Sequence, residues 1–239
     1  MTLMRTEILG YSSVRGDLHC NCGLPNQDAF LVKKYACGTL LVVSDGMGSH
    51  PHADIGAESV CRSVSRAVRL WHEYHCGDIR LLIPLIHSLW GLGVYPYPKN
   101  ECGATCLFAF LKNDNTLCLG QLGDGSIYYS VGDDLSLLKS KEDEFSNFTA
   151  GIHNIRGFED WSLSVIDFGE KPVKLCLMTD GVSETLIEER REEFVRLLWK
   201  RVSEKESIRK RNHLIRGILR DWNPVNAGDD RTLVSCEIR

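Results

Sequence analysis

The sequence predicts an α+β protein in which two antiparallel sheets stack face to face and helices cover their outer faces. Short apolar runs bounded by Gly, Asp and Asn indicate strands, and pairs of these runs alternate with pairs of helical patterns. Because sheets and amphipathic helices bury their apolar faces against one another, this alternation favours packed layers of both kinds. The chain has 239 residues, of which 43% are hydrophobic, and this is enough to bury a large core.

The individual elements follow from the spacing of apolar residues. The predicted strands cover residues 28–33, 39–44, 104–111, 117–122, 126–130, 162–167, 173–179 and 232–238. Two helical patterns separate the second strand from the third, and the first places these residues on one face: Ile55, Val60, Val64, Val68 and Trp71. The second pattern covers 79–90, where Pro84 can occupy only a first turn or a kink. Two further helices are predicted within 184–222.

A block of charges of mixed sign runs from 188 to 211. Phe194, Leu197, Leu198 and Val202 recur within it at helical spacing, which predicts an amphipathic helix with a solvated charged face. The segment 205–211 is locally basic. It is open to two interpretations, an ordinary helix surface or a docking face for a phosphoprotein or a kinase.

Aspartates stand at the ends of several predicted strands. Three apolar runs end in the same dipeptide, as Asp45-Gly46, Asp124-Gly125 and Asp180-Gly181. Two more runs are preceded by aspartate, at Asp28 and at Asp229-Asp230. Because the exit of one antiparallel strand lies beside the entry of the next, these carboxylates are expected to meet at one edge.

Such a cluster favours a bound cation. Like charges in a partly dry site repel strongly, so the carboxylates must raise their pKa values or bind metal. Ligands that are all oxygen suit Mg²⁺ or Mn²⁺. The glycine after each aspartate is expected to permit a sharp turn at φ > 0 and to bring its carbonyl near an ion. For any single Asp-Gly the alternative is an ordinary turn.

The motifs around these aspartates resemble, in order, those of the metal-dependent (type 2C) protein serine/threonine phosphatases. The resemblance runs from about Gly10 to the C-terminus and rests on these motifs: Asn26-Gln27-Asp28, Asp45-Gly46-Met47-Gly48, Gly103-Ala104-Thr105, Gly123-Asp124-Gly125, Thr179-Asp180-Gly181 and Asp229-Asp230-Arg231-Thr232. It implies a four-layer α-β-β-α sandwich and a single phosphatase domain over residues 1–239.

The resemblance also implies roles for individual residues. Asp45, Asp180 and Asp229 would be catalytic and would hold two Mn²⁺ or Mg²⁺ ions, which Asp45 bridges and to which Gly46 offers its carbonyl. Asp124 with Asp180 would hold a third, weaker ion. A hydroxide between the ions would attack the phosphorus of phosphoserine or phosphothreonine.

Two positions beside these ligands complete the implied arrangement. Asp28 would hydrogen-bond waters on the metal without binding the ions itself. Asp230 stands where the family often has asparagine, so it is left out of the ligand set. The partners would be a phosphorylated protein and a cognate Ser/Thr kinase.

The resemblance leaves two functions without an assigned residue, the group that holds the phosphate and the proton donor. Many relatives carry an arginine that holds the phosphate, but residues 19–25 contain none, so Arg15, His19 and Lys33 are the candidates by proximity in sequence. Some relatives carry a histidine where Met47 stands. His50 and His52 follow closely and are candidate proton donors, with a polar lead-in to a helix as the alternative.

The interval between the motifs at Asp124 and Asp180 contains a further candidate. In relatives a flap beside the active site occupies it, and here residues 143–157 carry Phe145, Asn147, Phe148, His153 and Asn154. The segment is expected either to contact substrate or to form a structural loop.

Two other functions remain open. The first is a catalytically inactive, phosphatase-like scaffold that binds a partner kinase or sensor, and the missing phosphate arginine favours it. The intact set of aspartates argues against it. The second is a two-metal phosphodiesterase or nuclease, which requires a basic groove. The net charge of −4 and the isoelectric point near 6.1 argue against nucleic acid as a partner.

The cysteines and the hydropathy indicate a cytoplasmic protein without a membrane partner. The ten cysteines are spread over a chain much longer than disulfide scaffolds, and several lie in predicted strands as small hydrophobes: Cys106, Cys118, Cys176 and Cys236. A zinc site and a redox role for Cys20 and Cys22 are open alternatives. The longest apolar segments are too short to span a bilayer of about 30 Å, and residues 1–10 lack the apolar core of a secretory signal.

Overall fold

The strands form two stacked antiparallel sheets of five strands each, as the sequence predicts. The computed structural model describes residues 6–74, 77–140, 150–221 and 228–238. Its strands are β1 (Thr6–Val14), β2 (Ala29–Tyr35), β3 (Gly38–Ser44), β4 (Cys106–Lys112), β5 (Thr116–Leu122), β6 (Ser126–Val131), β7 (Asp134–Leu137), β8 (Ser162–Asp167), β9 (Val173–Met178) and β10 (Arg231–Ile238). One sheet has the order β1-β10-β9-β6-β7 and the other β2-β3-β4-β5-β8.

Helices cover the outer face of each sheet. The pair α2 (Ala53–Glu73) and α3 (Leu82–Gly93) covers one sheet, and the pair α5 (Arg191–Ser203) and α6 (Ile208–Arg220) covers the other. Two short helices, α1 (Asp17–Cys22) and α4 (Asp180–Ser183), follow β1 and β9. Buried residues of α2 and α3, such as Val64 and Ile86, pack with Phe108 of β4. Trp199 of α5 and Ile215 of α6 pack with the sheet that contains β1.

A third apolar cluster lies between the two sheets. It joins buried side chains of β3, β4 and β5 to those of β9 and β10, for example Val43, Leu107 and Leu177. The four-layer α-β-β-α arrangement is therefore confirmed. Within the described ranges, no helix combines the length and the hydropathy that a membrane span requires.

Most predicted elements agree with the structure, and the differences have local causes. The second helical pattern starts as a 3₁₀ turn, Ile79–Leu81, so that Pro84 lies in the first turn of α3. The two helices predicted within 184–222 are present as α5 and α6, and the chain turns between them inside the charged block 188–211. Leu197, expected on the apolar face, is 51% exposed, and Val195 and Trp199 are buried instead.

The sequence prediction misses β1, β7 and α1. β1 carries Gly10 and two serines, and a bulge between Ile8 and Gly10 disrupts its alternation. The backbone of β1 pairs with β10 from Thr6 to Val14. This pairing stabilises the strand, although the residues of β1 alone do not predict it. β7 has only four residues at a sheet edge.

The register brings strand exits beside strand entries at one end of the sandwich. Ser44 at the exit of β3 is opposite Ala29 at the entry of β2. Met178 at the exit of β9 is flanked by Ser126, which opens β6, and by Leu233 near the start of β10. The loops that carry the strand-end aspartates therefore gather at this end.

The nine described cysteines are free thiols. Cys106, Cys118, Cys176 and Cys236 are buried in strands, as expected for small hydrophobes. Burial raises the pKa of the Cys118 thiol to about 11, so it stays protonated and unreactive at neutral pH. Cys20 and Cys22 are exposed.

Candidate metal centre

Three aspartates from three strand exits converge at one end of the sandwich. Asp45 follows β3, Asp124 follows β5, and Asp180 follows β9 as the first residue of α4. Each offers a carboxylate oxygen, and these oxygens lie within 4.8 Å of one another. The convergence expected from the three Asp-Gly dipeptides is present.

The glycines act differently from the sequence expectation. None of Gly46, Gly125 and Gly181 has a positive φ, so the expectation of a left-handed turn at these positions is wrong. They are needed for close approach instead. A Cβ on Gly46 would lie 2.6 Å from the Ala53 carbonyl oxygen, and one on Gly181 only 2.0 Å from that of Asp230.

The motif Gly103-Ala104-Thr105 holds the Asp45 loop in place. The Asp45 amide donates to the Thr105 hydroxyl at 2.9 Å, and the Thr105 amide donates to the Asp45 carbonyl at 2.8 Å. Ser44 donates its hydroxyl to the Thr105 carbonyl at 2.6 Å. A β-bridge between Gly46 and Ala104 extends this contact. The backbone of Asp45 is thus fixed independently of its carboxylate, which interacts with the carboxyl group of Asp28.

Asp28 enters the cluster from the start of β2. The Thr179 hydroxyl donates a hydrogen bond of 2.9 Å to Asp28 Oδ2 and accepts one of 3.0 Å from the Thr232 amide. Burial raises the pKa of Asp28 to about 8, with a smaller contribution from the charge of Asp230. The threonines oppose this shift by hydrogen bonding.

Asp229 lies close enough to influence the other carboxylates. Burial is the largest cause that raises the pKa of Asp180 to about 9, and the charges of Asp45, Asp124 and Asp229 follow. Burial also raises the pKa of Asp45 well above its ordinary value, followed by the charges of Asp28 and Asp229. Each carboxylate therefore opposes ionisation of its neighbours.

This electrostatic environment fits a divalent cation. The donors are carboxylate oxygens, they are partly or fully withdrawn from water, and their negative charges repel. A divalent ion with oxygen ligands would offset that repulsion, and this donor set is typical of Mg²⁺ and Mn²⁺ sites. The residues present are consistent with the metal that the sequence predicts.

Asp230 has a different environment from its neighbour Asp229. Asp229 is exposed, whereas Asp230 is 1% exposed. The Asp230 carboxylate accepts hydrogen bonds from the Gly16 amide at 2.7 Å and the Gln27 amide at 2.5 Å. It also lies 2.8 Å from His19 Nδ1. Asp230 therefore joins the segment between β1 and β2 to the start of β10.

The phosphate-clamp candidates lie in different surroundings. Arg15 is exposed and donates to the Leu24 carbonyl at 3.2 Å. Lys33 donates to the Ser65 hydroxyl of α2 at 3.3 Å. It lies five positions beyond Asp28 along β2, roughly 17 Å at the rise of an extended strand. The structure thus brings His19 to the aspartates but does not bring Lys33 to them.

The two histidines after the first Asp-Gly dipeptide have different neighbours. The His50 ring stacks edge-on against His153 with 4.4 Å between centroids, and its Nδ1 lies 2.7 Å from the Asn100 carbonyl oxygen. His52 instead packs against Tyr97 and lies 3.7 Å from Glu101. His50 thus contacts the interval 143–157 through His153, whereas His52 contacts Tyr97 and Glu101.

The described part of the interval 143–157 contacts the Asp45 loop. The Ile152 amide donates to the Ala104 carbonyl at 2.9 Å. Gly151 lies so close to Met47 that a Cβ on it would be 2.8 Å from the Met47 sulfur. Residues 143–149, with the predicted substrate contacts Phe145, Asn147 and Phe148, lie outside the described residues. His153 and Asn154 lie within them.

Sequence reasoning did not find the interaction of His19 with Asp230. The only signals for it were the two consecutive aspartates and the lone histidine near the opening motif, and neither identifies the other. The sequence identifies Thr179 and Thr232 only as parts of two motifs. In the structure their hydrogen bonds connect the end of β9, the start of β10 and Asp28 at the start of β2.

Comparison with known proteins adds an independent observation. The family model described as Protein phosphatase 2C matches residues 15–220. No curated protein matches the chain at a significant level.

Solved structures with the same fold cover nearly the whole chain. A bacterial serine phosphatase is 16% identical, with a TM-score of 0.69 over 99% of this chain and 98% of that chain. The catalytic domain of the serine threonine protein phosphatase PstP, in complex with 2 manganese ions, is 17% identical, with a TM-score of 0.63 over 98% of each chain. A structure from work on the bacterial stressosome is 15% identical, with a TM-score of 0.67 over 98% of this chain and 100% of that chain.

Proposed function

Because the chain belongs to the protein phosphatase 2C family, we propose that it hydrolyses phosphoserine or phosphothreonine in a protein substrate with the help of Mn²⁺ or Mg²⁺. The observation that carries this proposal is the convergence of Asp45, Asp124 and Asp180. Beyond the effect of burial, the charges of Asp28 and Asp229 raise the pKa of Asp45, and that of Asp229 raises the pKa of Asp180. The repulsion within a cluster of carboxylates lowers the stability of the fold, and a bound metal ion would offset that repulsion.

Asp45 is the proposed bridging ligand, with Asp180 and Asp229 on its two sides. Support comes from its central position, because the charges of Asp28, Asp124 and Asp229 all act on it. Gly46 can offer its carbonyl, and Asp124 with Asp180 can hold a further ion. Two bound ions would lower the pKa of a shared water and offset the charge that builds on the phosphoryl oxygens.

The remaining residues position these groups and the substrate. Asp28, held by Thr179, can orient water at the edge of the cluster. His50, supported by Asn100 and packed on His153, can give a proton to the departing alkoxide. A cognate Ser/Thr kinase would produce the phosphorylated substrate.

A non-catalytic regulator is the second candidate. One structural neighbour comes from work on the stressosome, described as a modular system that controls secondary messenger signaling. A regulator without catalysis would gain nothing from carboxylates that resist ionisation at neutral pH, since their repulsion lowers the stability of the fold.

Hydrolysis of a phosphothreonine peptide with Mn²⁺, with Mg²⁺ and with chelator tests the proposal. We expect turnover that requires added metal and that falls at least ~100-fold in Asp45→Asn and in Asp180→Asn, as when a charge-stabilising group is removed. Asp134→Asn, at an exposed edge position of β7, is the matched control and should keep full activity. Inactivity of the folded wild-type protein with every metal and peptide would favour the regulator.

A further inference from the structure

The exposed face of α6 carries a row of basic side chains. Arg209, His213, Arg216 and Arg220 follow one another at intervals of four, three and four residues, and all four are exposed. This spacing places them on one side of a helix. Ile215 and Leu219 on the other side are buried against the sheet. The helix contains no acidic residue.

The row ends in a pocket whose walls are rich in arginine. This arginine pocket, of about 470 Å³, lies between the end of β1, α1 and the last turns of α6. Its lining residues are Ser13, Val14, Arg15, Asp17, Cys20, Arg216, Arg220 and Arg231. Four guanidinium groups therefore face a single carboxylate, that of Asp17. At the other end, Arg209 and His213 line a second cavity of about 550 Å³.

Helix stability does not account for the whole row. Arg216 and Arg220 near the C-terminus of α6 interact favourably with the helix dipole, but Arg209 in the first turn has the opposite effect. Its neighbour Lys210 is paired with Glu206 at 2.6 Å, and Arg211 is turned inward and bonded to Glu7. The row thus differs from Lys210 and Arg211, whose charges are paired with carboxylates of the protein itself.

The arginine pocket adjoins the candidate metal centre through the backbone. Val14 pairs with Arg231 between β1 and β10. Gly16, the residue after Arg15, donates its amide to Asp230. Arg231, which lines the pocket, directly follows Asp230 and is 2% exposed. Any chain bound in the pocket therefore lies next to the loop that presents Asp229.

We propose that this basic track, formed by Arg209, His213, Arg216, Arg220 and Arg15, binds an acidic segment of the phosphoprotein substrate. The inference rests on the proposed phosphatase function and adds a substrate class to it. From Arg209 to Arg220 the helix rises about 16 Å, which about five residues of an extended peptide span. Guanidinium groups bind carboxylates bidentately, and a pocket with several of them favours aspartate and glutamate.

The residues around the basic track favour a short acidic peptide as its ligand over a nucleic acid or a lipid surface. The track is one helix wide, Asp17 is the one carboxylate that lines the arginine pocket, and Glu206 is paired with Lys210 beside the row. A nucleic acid or a lipid surface would meet these acidic groups and the net charge of −4. An extended acidic segment along the track would meet only Asp17 among several arginines.

The test combines a kinetic and a binding measurement on Arg216→Glu/Arg220→Glu. The kinetic measurement compares phosphothreonine peptides with acidic and with neutral flanking residues. We expect KM for the acidic peptide to rise about tenfold, since several exposed charge pairs are reversed, while kcat and the kinetics of the neutral peptide stay the same. Higher salt should remove the difference between the peptides in the wild type. Arg66→Glu, at an exposed position of α2 on the opposite layer, is the control and should change neither peptide.

The binding measurement uses fluorescence anisotropy with an unphosphorylated acidic peptide, which requires no catalysis. Weaker binding by the double variant, with no turnover of any peptide by the wild type, would support acidic-segment binding and overturn the phosphatase proposal. Equal binding by wild type and variant, or an equal loss on acidic and neutral peptides, would overturn the inference. Binding to anionic vesicles or RNA that the variant loses, without any preference among peptides, would also overturn it.

Discussion

His19 Nδ1 lies 2.8 Å from the carboxylate of Asp230, a residue 211 positions further along the chain. The same carboxylate accepts hydrogen bonds from the amides of Gly16 and Gln27. Asp230 thus holds the first loop of the protein against the loop that presents Asp229. One buried side chain links the arginine pocket, the opening motif around Asp28 and the candidate metal centre.

Removal of the Asp230 carboxylate should weaken the fold. Asp230→Ala leaves two buried amides and His19 without their acceptor, which costs about 1–3 kcal/mol for each unsatisfied group. We expect a loss of several kcal/mol in the free energy of unfolding, measured by urea denaturation in the presence of chelator. Asp230→Asn, which keeps one acceptor oxygen, should lose much less.

Asp229→Ala is the matched control, because Asp229 is exposed and its charge opposes ionisation of Asp45 and Asp180. Its stability in chelator should equal or exceed that of the wild type. If Asp230→Ala were as stable as Asp229→Ala, the linking role of Asp230 would be refuted.

The stability of the metal-free protein should fall as the pH rises from about 4 to about 9. In the folded protein the pKa is raised to about 8 for Asp28 and to about 9 for Asp180, whereas an unfolded aspartate titrates near 3.9. Between these values the folded state binds more protons than the unfolded state, so the free energy of unfolding decreases with pH. Urea denaturation in chelator at several pH values measures this slope.

Asp180→Asn isolates the contribution of the cluster to that slope. The variant should show a shallower decrease, because it has one titrating group fewer and a weaker repulsion on Asp45. With saturating Mn²⁺ the wild-type slope should reverse, since metal competes with protons for the carboxylates. The same slope in the wild type and the variant would contradict the assignment.

Asp45→Asn should have opposite effects on thermal stability in the absence and in the presence of metal. In chelator the substitution removes a charge that its neighbours oppose, so the melting temperature should rise. With Mn²⁺ the wild type should gain stability by binding, and the variant should lose most of that gain. Thermal denaturation with a titration of Mn²⁺ measures both effects. Asp134→Asn should behave as the wild type throughout, and a metal-induced gain of equal size in Asp45→Asn would exclude Asp45 as a ligand.

The layer order and the gathering of the aspartates could be predicted because both depend on local patterns. Apolar runs define strands, and antiparallel pairing then places exits beside entries, as Ser44 and Ala29 illustrate. The glycine of each Asp-Gly dipeptide is needed, as the sequence predicts, but for close approach to other backbone atoms and not for a left-handed turn. The need for close approach depends on which backbone lies opposite, such as the Asp230 carbonyl opposite Gly181.

Features that depend on long-range contacts were missed. β1 is ordered by its pairing with β10, and its own residues alternate poorly around the bulge at Gly10. The partner of His19 could not be predicted, because a histidine and an aspartate at opposite ends of a chain carry no mutual signal.

Gly181→Ala should disrupt the candidate centre, because an added Cβ would lie 2.0 Å from the Asp230 carbonyl oxygen, and a backbone atom cannot move aside as the end of a side chain can. The loop of Asp180 or that of Asp229 must shift, so we expect a loss of a few kcal/mol in the free energy of unfolding. We also expect Mn²⁺ affinity to fall at least ~10-fold, as when a group that positions a ligand is disturbed. Isothermal titration with Mn²⁺ and urea denaturation measure the two effects.

Gly217→Ala in α6 is the control, since nothing lies within 4 Å of its Cβ position. It should stabilise the protein by about 0.5–1 kcal/mol through helix propensity and leave Mn²⁺ binding unchanged. If both variants bound Mn²⁺ like the wild type, the contact between the two loops would not determine the geometry of the metal ligands.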